Sequence, residues 1–175
     1  LALENQIPVY QPRTLREPEA LETLQKLAPE LIVVVAYGRL LPPAVLELPA
    51  YGCINLHVSL LPQYRGAAPI QWAVINGEKT TGVTIMQLDE GLDTGPILAQ
   101  QPVEIGPDDT AGHVFESVCH IGGRLLCDTV EKIGRGAVPA VPQQGAASLS
   151  PPLTKALAFM AFACPANALN NLARG

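Results

Sequence analysis

LIVVVAYGRLLPPAVLELPAYGCINLHVSLLP, residues 31–62, holds two apolar runs separated by a proline-bracketed segment. The first run, LIVVVAY at 31–37, is apolar at consecutive positions, the pattern of a central strand covered by helices on both faces. LPPAVLELP reads as a short helix, and 53–60, CINLHVSL, as the next strand. Strand, helix and strand in that order imply a right-handed crossover and a parallel pairing. In the second strand Ile54, Leu56, Val58 and Leu60 take the even positions, while Asn55, His57 and Ser59 take the odd ones. Strand side chains alternate between faces, so the polar trio shares one side.

Upstream, IPVYQ at 7–11 reads as a short strand. Pro18 to Leu27 then reads as a helix with Leu21, Leu24 and Leu27 at helical spacing and acidic residues at its start. Downstream, APIQWAVING at 68–77 suits a helix closed by Asn76-Gly77. TGVTIMQL and ILAQQPVEI form two strands joined by the loop DEGLDTGP. PDDT at 107–110 supplies cap residues for a long helix whose apolar face runs from Ala111 to Ile133, with Gly122-Gly123 as a candidate bend. Residues 136–152 are rich in Gly, Pro, Ala and Ser and carry no charge, so they read as a linker. The fold class expected is α/β, an open, mostly parallel sheet flanked by helices.

A chain of 175 residues with 48% hydrophobic and 15% charged content sustains one main core and a small appendage. The N-terminus shows no basic segment followed by a long apolar run. The longest apolar run, ALAFMAFAC at 156–164, falls far short of the roughly 20 residues that span a bilayer, so a cytoplasmic protein with no membrane partner is expected. Cys53, Cys119, Cys127 and Cys164 form no CxxC pair, which points to reduced thiols. With a net charge of −5 and eleven scattered basic residues, this segment alone is no nucleic-acid platform.

Ligand sites in open α/β sheets lie beyond the carboxyl ends of the strands, where the polar trio sits. Either the three groups are satisfied by nearby backbone, or they build a site; leaving one buried and unpaired costs about 1–3 kcal/mol. An Asn amide offers donors to a developing oxyanion, and a His donates or relays a proton. The carboxylate that would orient the imidazole is Asp93 in GLDTG, with Asp89 and Glu90 as rivals, although Asp-Thr-Gly is also ordinary turn chemistry. No Ser or Cys is paired with the His, which favours transfer of a group to an external nucleophile over a covalent enzyme intermediate. Arg65-Gly66 reads either as a contact for an anionic substrate group or as a solvated loop. His113, Glu116 and His120 share a helical face, but neither HExxH nor a Cys partner accompanies them, so no metal is expected.

The run INLHVSLLPQYRGAAPIQWAVINGEKTTGVTIMQLDEGLDTGPIL resembles the folate-dependent formyltransferase family. With VVVAYGRLLP upstream, RGAAPIQ makes it most similar to the methionyl-tRNA formyltransferase branch, over about residues 1–155. That resemblance implies transfer of a formyl group from 10-formyltetrahydrofolate, as co-substrate, to the amino group of initiator methionyl-tRNA in translation initiation. It places the catalytic trio on Asn55, His57 and Asp93. Folate contacts fall on Ser59, Leu60, Leu61 and Pro62 and on Tyr37, Gly38 and Leu40. It also implies a full-length monomer. The family's first strands and its basic insertion for tRNA would precede residue 1, so this piece alone is expected to be marginally stable. Residues 1–135 then form a partial catalytic domain, and 136–175 a linker and the start of a C-terminal tRNA-binding domain. In that tail ALAFMAFAC replaces the family's acidic stretch. Two alternatives stand beside this reading: a folate-dependent formyltransferase or hydrolase acting on an amino sugar, a ribonucleotide amine or water, and a non-catalytic folate-binding fragment.

Overall fold

The computed structural model describes residues 1–158 and 163–175; the middle of the ALAFMAFAC run, residues 159–162, therefore lies outside the described residues. Helix α1 (Pro18–Leu27), strand β1 (Ile32–Val35), helix α2 (Pro43–Leu46) and strand β2 (Cys53–His57) follow in the expected order. A two-residue strand β3 (Arg65–Gly66) leads into α3 (Pro69–Ile75), which ends at Asn76. The hairpin strands are β4 (Thr80–Gln87) and β5 (Ile97–Glu104). After them come α4 (Ala111–Gly134), a short β6 (Leu149–Ser150) and α5 (Ala166–Arg174).

The main sheet has the order β1-β2-β4-β5. β1 and β2 are parallel, as the crossover demands, with Val34 opposite Asn55. β2–β4 and β4–β5 are antiparallel, so the open α/β sheet is mixed rather than mostly parallel across the described strands. A tight DEGLDTGP loop can only return the chain antiparallel, whereas a parallel neighbour needs a crossover.

Alternation sorts β2 onto two faces. Ile54 and Leu56 join Val83, Ile85 and Val103 in a core that α3 and α4 cover with Ile70, Val74, Val114 and Val118. Cys53, Asn55 and His57 face the other way, and the Cys53 thiol donates to the Val45 carbonyl of α2 at 3.5 Å. Thr110 caps α4 through a capping box with His113. The helix runs unbroken through Gly122, which serves close approach rather than a bend: a Cβ there would lie 3.0 Å from the Leu56 side chain and 3.3 Å from that of Val83.

Three local expectations differ from the structure. β1 lies at the sheet edge among the described strands, with Val33 and Val35 exposed: its strand partner is β2 alone among the described strands, and α4 packs chiefly on β4 and β5. Residues 7–11 form no strand, since no described strand lies alongside to take their backbone hydrogen bonds. Residues 136–152 run back along the domain: Val141 and Ile97 exchange both backbone hydrogen bonds, and β6 pairs in parallel with β3. Composition described the segment's lack of charge but not these tethers.

Candidate functional site

The carboxyl ends of β1 and β2 share one edge of the sheet because the two strands are parallel and in register. Asn55 and His57, two residues apart on β2, project from the same face there. Across β4 they sit opposite Met86 and Thr84 respectively. Asn55 is half-buried, and among the described residues its amide has no hydrogen-bond partner. His57 is 6% exposed and firmly held.

Its Nε2 lies 2.9 Å from the Tyr64 carbonyl, which only accepts, so that nitrogen carries a proton. Nδ1 faces the Asp93 carboxylate at 3.7 Å, with the Asp93 side chain 13% exposed. The same carboxylate oxygen, Oδ2, accepts the Gly66 backbone N–H at 2.8 Å. One ring nitrogen is thus bonded to a loop carbonyl, and the other faces the Asp93 carboxylate without a hydrogen bond, an ion pair when the imidazole is protonated; together they orient the ring.

Two residues of this arrangement occupy the left-handed region, Tyr64 at φ 59 and Asp93 at φ 53. Such conformations cost about 1–3 kcal/mol in non-glycine residues, less for Asp, and persist where surroundings over-determine them. The surroundings do so here. The Tyr64 N–H donates to Ser148 Oγ at 2.8 Å, and its carbonyl also accepts Ser150 Oγ at 3.1 Å. Its hydroxyl donates to Glu78 at 2.6 Å, and burial together with that carboxylate pushes the phenol up from its ordinary pKa. Gly66 adopts φ +117, and a Cβ there would lie 2.9 Å from the Ser150 carbonyl, so only glycine places its N–H against Asp93.

The rival carboxylates separate cleanly. Asp89 accepts from the Gly91 N–H at 3.0 Å and the Thr94 hydroxyl at 2.6 Å, which makes it the turn-former of the loop, while Asp93 alone of the three is paired with His57. Arg65 is not a solvated loop residue: its Nη2 and Nε donate to Gln143 Oε1 at 2.7 and 3.2 Å.

The strand-end segment that the resemblance assigns to folate is largely committed to internal bonds. Ser59 is fully buried and donates to the Gln63 carbonyl at 2.6 Å. Leu61 donates its N–H to Thr84 Oγ1 at 3.2 Å and accepts Gln100 Nε2 at 2.9 Å. The Leu60 carbonyl accepts from Gln63 and the Pro62 carbonyl from Ser148. Sequence pattern singled out neither Thr84 nor Gln100; the signal was a polar pair at matched positions of the hairpin strands, Thr84 opposite Gln100. Gln143, Ser148 and Ser150 sat in a segment whose composition masked them.

Tyr37, Gly38 and Leu40 follow β1 and are exposed. With Thr14, Leu15, Arg16, Arg39 and Pro42, Tyr37 and Leu40 line an open cavity of about 360 Å³. A second, of about 410 Å³, lies on Tyr10, Arg13, Tyr37 and Arg39. Neither is lined by Asn55, His57 or Asp93. Among the described residues no group of three His, Cys, Asp or Glu side chains is placed to hold a metal. No described helix is long and apolar enough to cross a membrane.

Comparison with known proteins gives the arrangement its context. Residues 1–130 match the family described as formyl transferase. A methionyl-tRNA formyltransferase from Pelotomaculum thermopropionicum is 56% identical over 147 residues, covering 84% of this chain and 47% of that protein. One from Alkaliphilus oremlandii is 47% identical over 175 residues, covering 99% of this chain and 56% of that protein. The chain thus spans about half the length of these relatives. Among solved structures, phosphoribosylglycinamide formyltransferase from Bacillus halodurans superposes with a TM-score of 0.70 at 32% identity, covering 75% of this chain and 72% of that one. The formyltransferase PseJ from Anoxybacillus kamchatkensis, solved with a UDP-formamido sugar and tetrahydrofolate, gives a TM-score of 0.70 at 28% identity, covering 85% of this chain and 77% of that one.

Proposed function

Because the chain belongs to the formyl transferase family, we propose that it is the catalytic part of a methionyl-tRNA formyltransferase, moving a formyl group from 10-formyltetrahydrofolate to the amino group of initiator methionyl-tRNA. The observation that carries the chemistry is the joining of His57 to Asp93 beside an Asn55 amide left without a partner among the described residues. The identity of 56% to a tRNA-formylating relative, against 32% and 28% to the two structural relatives that formylate other substrates, favours the tRNA substrate.

The formyl donor supplies an activated one-carbon unit on nitrogen. When the amine attacks its carbon, the carbonyl oxygen becomes anionic, and the Asn55 N–H groups donate to that oxygen. Preorganised donors of this kind act without reorganisation at the moment of reaction. His57, oriented by Asp93 and Tyr64, adds positive charge beside the same oxygen when protonated, and its Nδ1, the ring nitrogen not bonded to a carbonyl, accepts the proton that the attacking amine must lose and returns it to the departing folate nitrogen. The C–N bond to folate then breaks, leaving a formamide and neutral tetrahydrofolate.

Tyr37, Gly38 and Leu40 supply an apolar rim, with Arg39 available to anionic groups, which suits a flat heterocycle bearing a carboxylate tail. Leu60 to Pro62 contribute a rigid wall through side-chain surface rather than free backbone groups. Ser59 holds that wall from behind. No metal is assigned a step. In the full-length protein, residues 1–135 form part of the catalytic domain, and 136–175 a linker and the start of a C-terminal tRNA-binding domain. We place the protein in the cytoplasm as a monomer, where charged tRNA and reduced folate are available.

The test is formyl transfer by the full-length protein to methionyl-tRNA, to glycinamide ribonucleotide and to a nucleotide-linked amino sugar, each with 10-formyltetrahydrofolate. Turnover with the tRNA alone supports the reading. Turnover of a small amine with the tRNA ignored assigns the site to the second branch of the family, and folate binding without transfer to any acceptor assigns it to a binding module.

A further inference from the structure

Gln143 occupies a position that composition alone gave to a linker, yet its amide is fully bonded across three chain segments. Nε2 donates to the Asp93 carbonyl at 2.9 Å and to the Gly95 carbonyl at 2.8 Å, while Oε1 accepts from Arg65 Nη2 and Nε at 2.7 and 3.2 Å. Arg65 is covalently joined to Gly66, whose N–H donates to the Asp93 carboxylate. A closed ring results: Gln143 to the Asp93 backbone, the Asp93 side chain to Gly66, Gly66 through the chain to Arg65, and Arg65 back to Gln143.

We propose that Gln143 is a positioning residue for formyl transfer, acting through Asp93: its ring fixes both ends of that residue and thereby the placement of its carboxylate against His57 Nδ1. The inference rests on the reading of Asp93 as the group that orients His57. Asp93 needs such an anchor. It stands at φ 53 in a Gly-rich loop, 3.7 Å from the imidazole, a separation at which a small displacement of the carboxylate breaks the pairing. Among the described residues the Asp93 carboxylate has one bond outside the pair, to Gly66, and both of its supports, Gly66 and its own carbonyl, lead to Gln143. The backbone exchange of Val141 with Ile97 and the β3–β6 pairing hold Gln143 from either side along the chain. Glutamine is the one side chain with a planar donor pair and an acceptor at this reach, so it serves two carbonyls and a guanidinium at once.

The experiment is a cycle of Gln143→Met, Asp93→Asn and the double variant in the full-length protein, with kcat and the KM for 10-formyltetrahydrofolate measured alongside the melting temperature. Met keeps the length and the packing; Asn tolerates the left-handed backbone at 93. Gln143→Met is expected to lower kcat about 10–100-fold with KM changed less than about 3-fold, as misplacement of a catalytic constellation by roughly an ångström does. In the Asp93→Asn background the same change is expected to cost less than about 2-fold. Full multiplication of the two losses, a kcat within about 3-fold of the parent, or a loss carried by KM overturns the proposal. Should Gln143→Met fail to fold, Gln143→Glu replaces it: the carboxylate keeps Arg65 but faces two carbonyls, and the same cycle and outcomes apply. An Asp93→Asn variant of parental activity instead overturns the underlying reading, which separates the two failures.

Discussion

The floor of the site and its rim are built in opposite ways. At the floor, His57, Ser59, Tyr64, Gly66 and Asp93 are tied by side-chain and backbone bonds of 2.6–3.1 Å, with the His57–Asp93 pair at 3.7 Å. At the rim, Tyr37 is 37% and Leu40 51% exposed on an open cavity reached through two left-handed residues, Ala36 and Gly38. Charge that develops in a transition state is stabilised by groups that need not move, whereas a flexible cofactor is held by surface that adapts. On the proposed function, rate and affinity are set in separate places, a separation that substitutions in the two regions test.

The largest effect belongs to the floor. Asn55→Ala and His57→Ala are each expected to lower kcat by about 10²–10³-fold or more, with folate affinity little changed. Binding measured by calorimetry on the same variants checks the split; equal loss of binding and turnover breaks the comparison. Gly66→Ala follows from geometry rather than chemistry. The new Cβ meets the Ser150 carbonyl at 2.9 Å in a backbone conformation alanine avoids, so β3 shifts and Asp93 loses its N–H partner. A destabilisation of about 1–3 kcal/mol is expected in denaturant titration, with kcat falling by more than KM rises.

At the rim the pattern inverts. Tyr37→Ala and Leu40→Ala remove exposed apolar surface that has no structural duty among the described contacts. Each is expected to raise the KM for the folate about 5–20-fold, equivalent to roughly 1–2 kcal/mol of binding, while kcat and melting temperature hold. A fall in kcat with KM unmoved would assign Tyr37 to the floor and merge the two regions.

The two regions were also unequally legible in the sequence. The alternation of CINLH against its apolar neighbours placed Asn55 and His57 on one face, because strand periodicity is local physics. The carboxylate was legible as Asp93 with Asp89 and Glu90 as rivals, because the loop's turn chemistry allows any of them and the resemblance alone favours Asp93. In the fold Asp89 is the turn-former, and Asp93 is the one of the three that faces His57 and bonds Gly66. Helices α1 and α3 followed from spacing and stop signals, yet the edge position of β1 did not, because LIVVV is equally apolar whether or not a neighbour covers it. Gln143 was invisible for a further reason. Its partners are two carbonyls and an arginine from distant segments, and nothing in PVPQQG encodes which amide will meet them.

The last effect is on stability alone and concerns Cys53, which begins the strand that carries the floor yet points its thiol into α2. Burial pushes that thiol up from 9.0 to about 11, and it donates to the Val45 carbonyl. The folded chain therefore holds this proton more tightly than the unfolded one. The associated stability is fully present below pH 9 and is lost as pH rises towards about 11, a decline of about 3 kcal/mol for a shift of this size. Tyr64 adds a loss of the same sign, but only from its ordinary value of 10.0 upward, so the interval between pH 9 and 10 reports Cys53. Urea titrations across pH 8–10 are expected to show the decline in the parent and a flatter profile in Cys53→Ala, whose lost packing lowers stability by a similar amount at every pH. Thiol titration supplies the companion measurement: Cys119, Cys127 and Cys164 are exposed and react in the native state, whereas Cys53 is 1% exposed and reacts only on unfolding. A fourth thiol that reacts as fast as the others would show that the base of β2 opens in the native state, and the rigidity of the floor would then have to arise above Cys53, in the His57–Tyr64 and Gly66–Asp93 bonds.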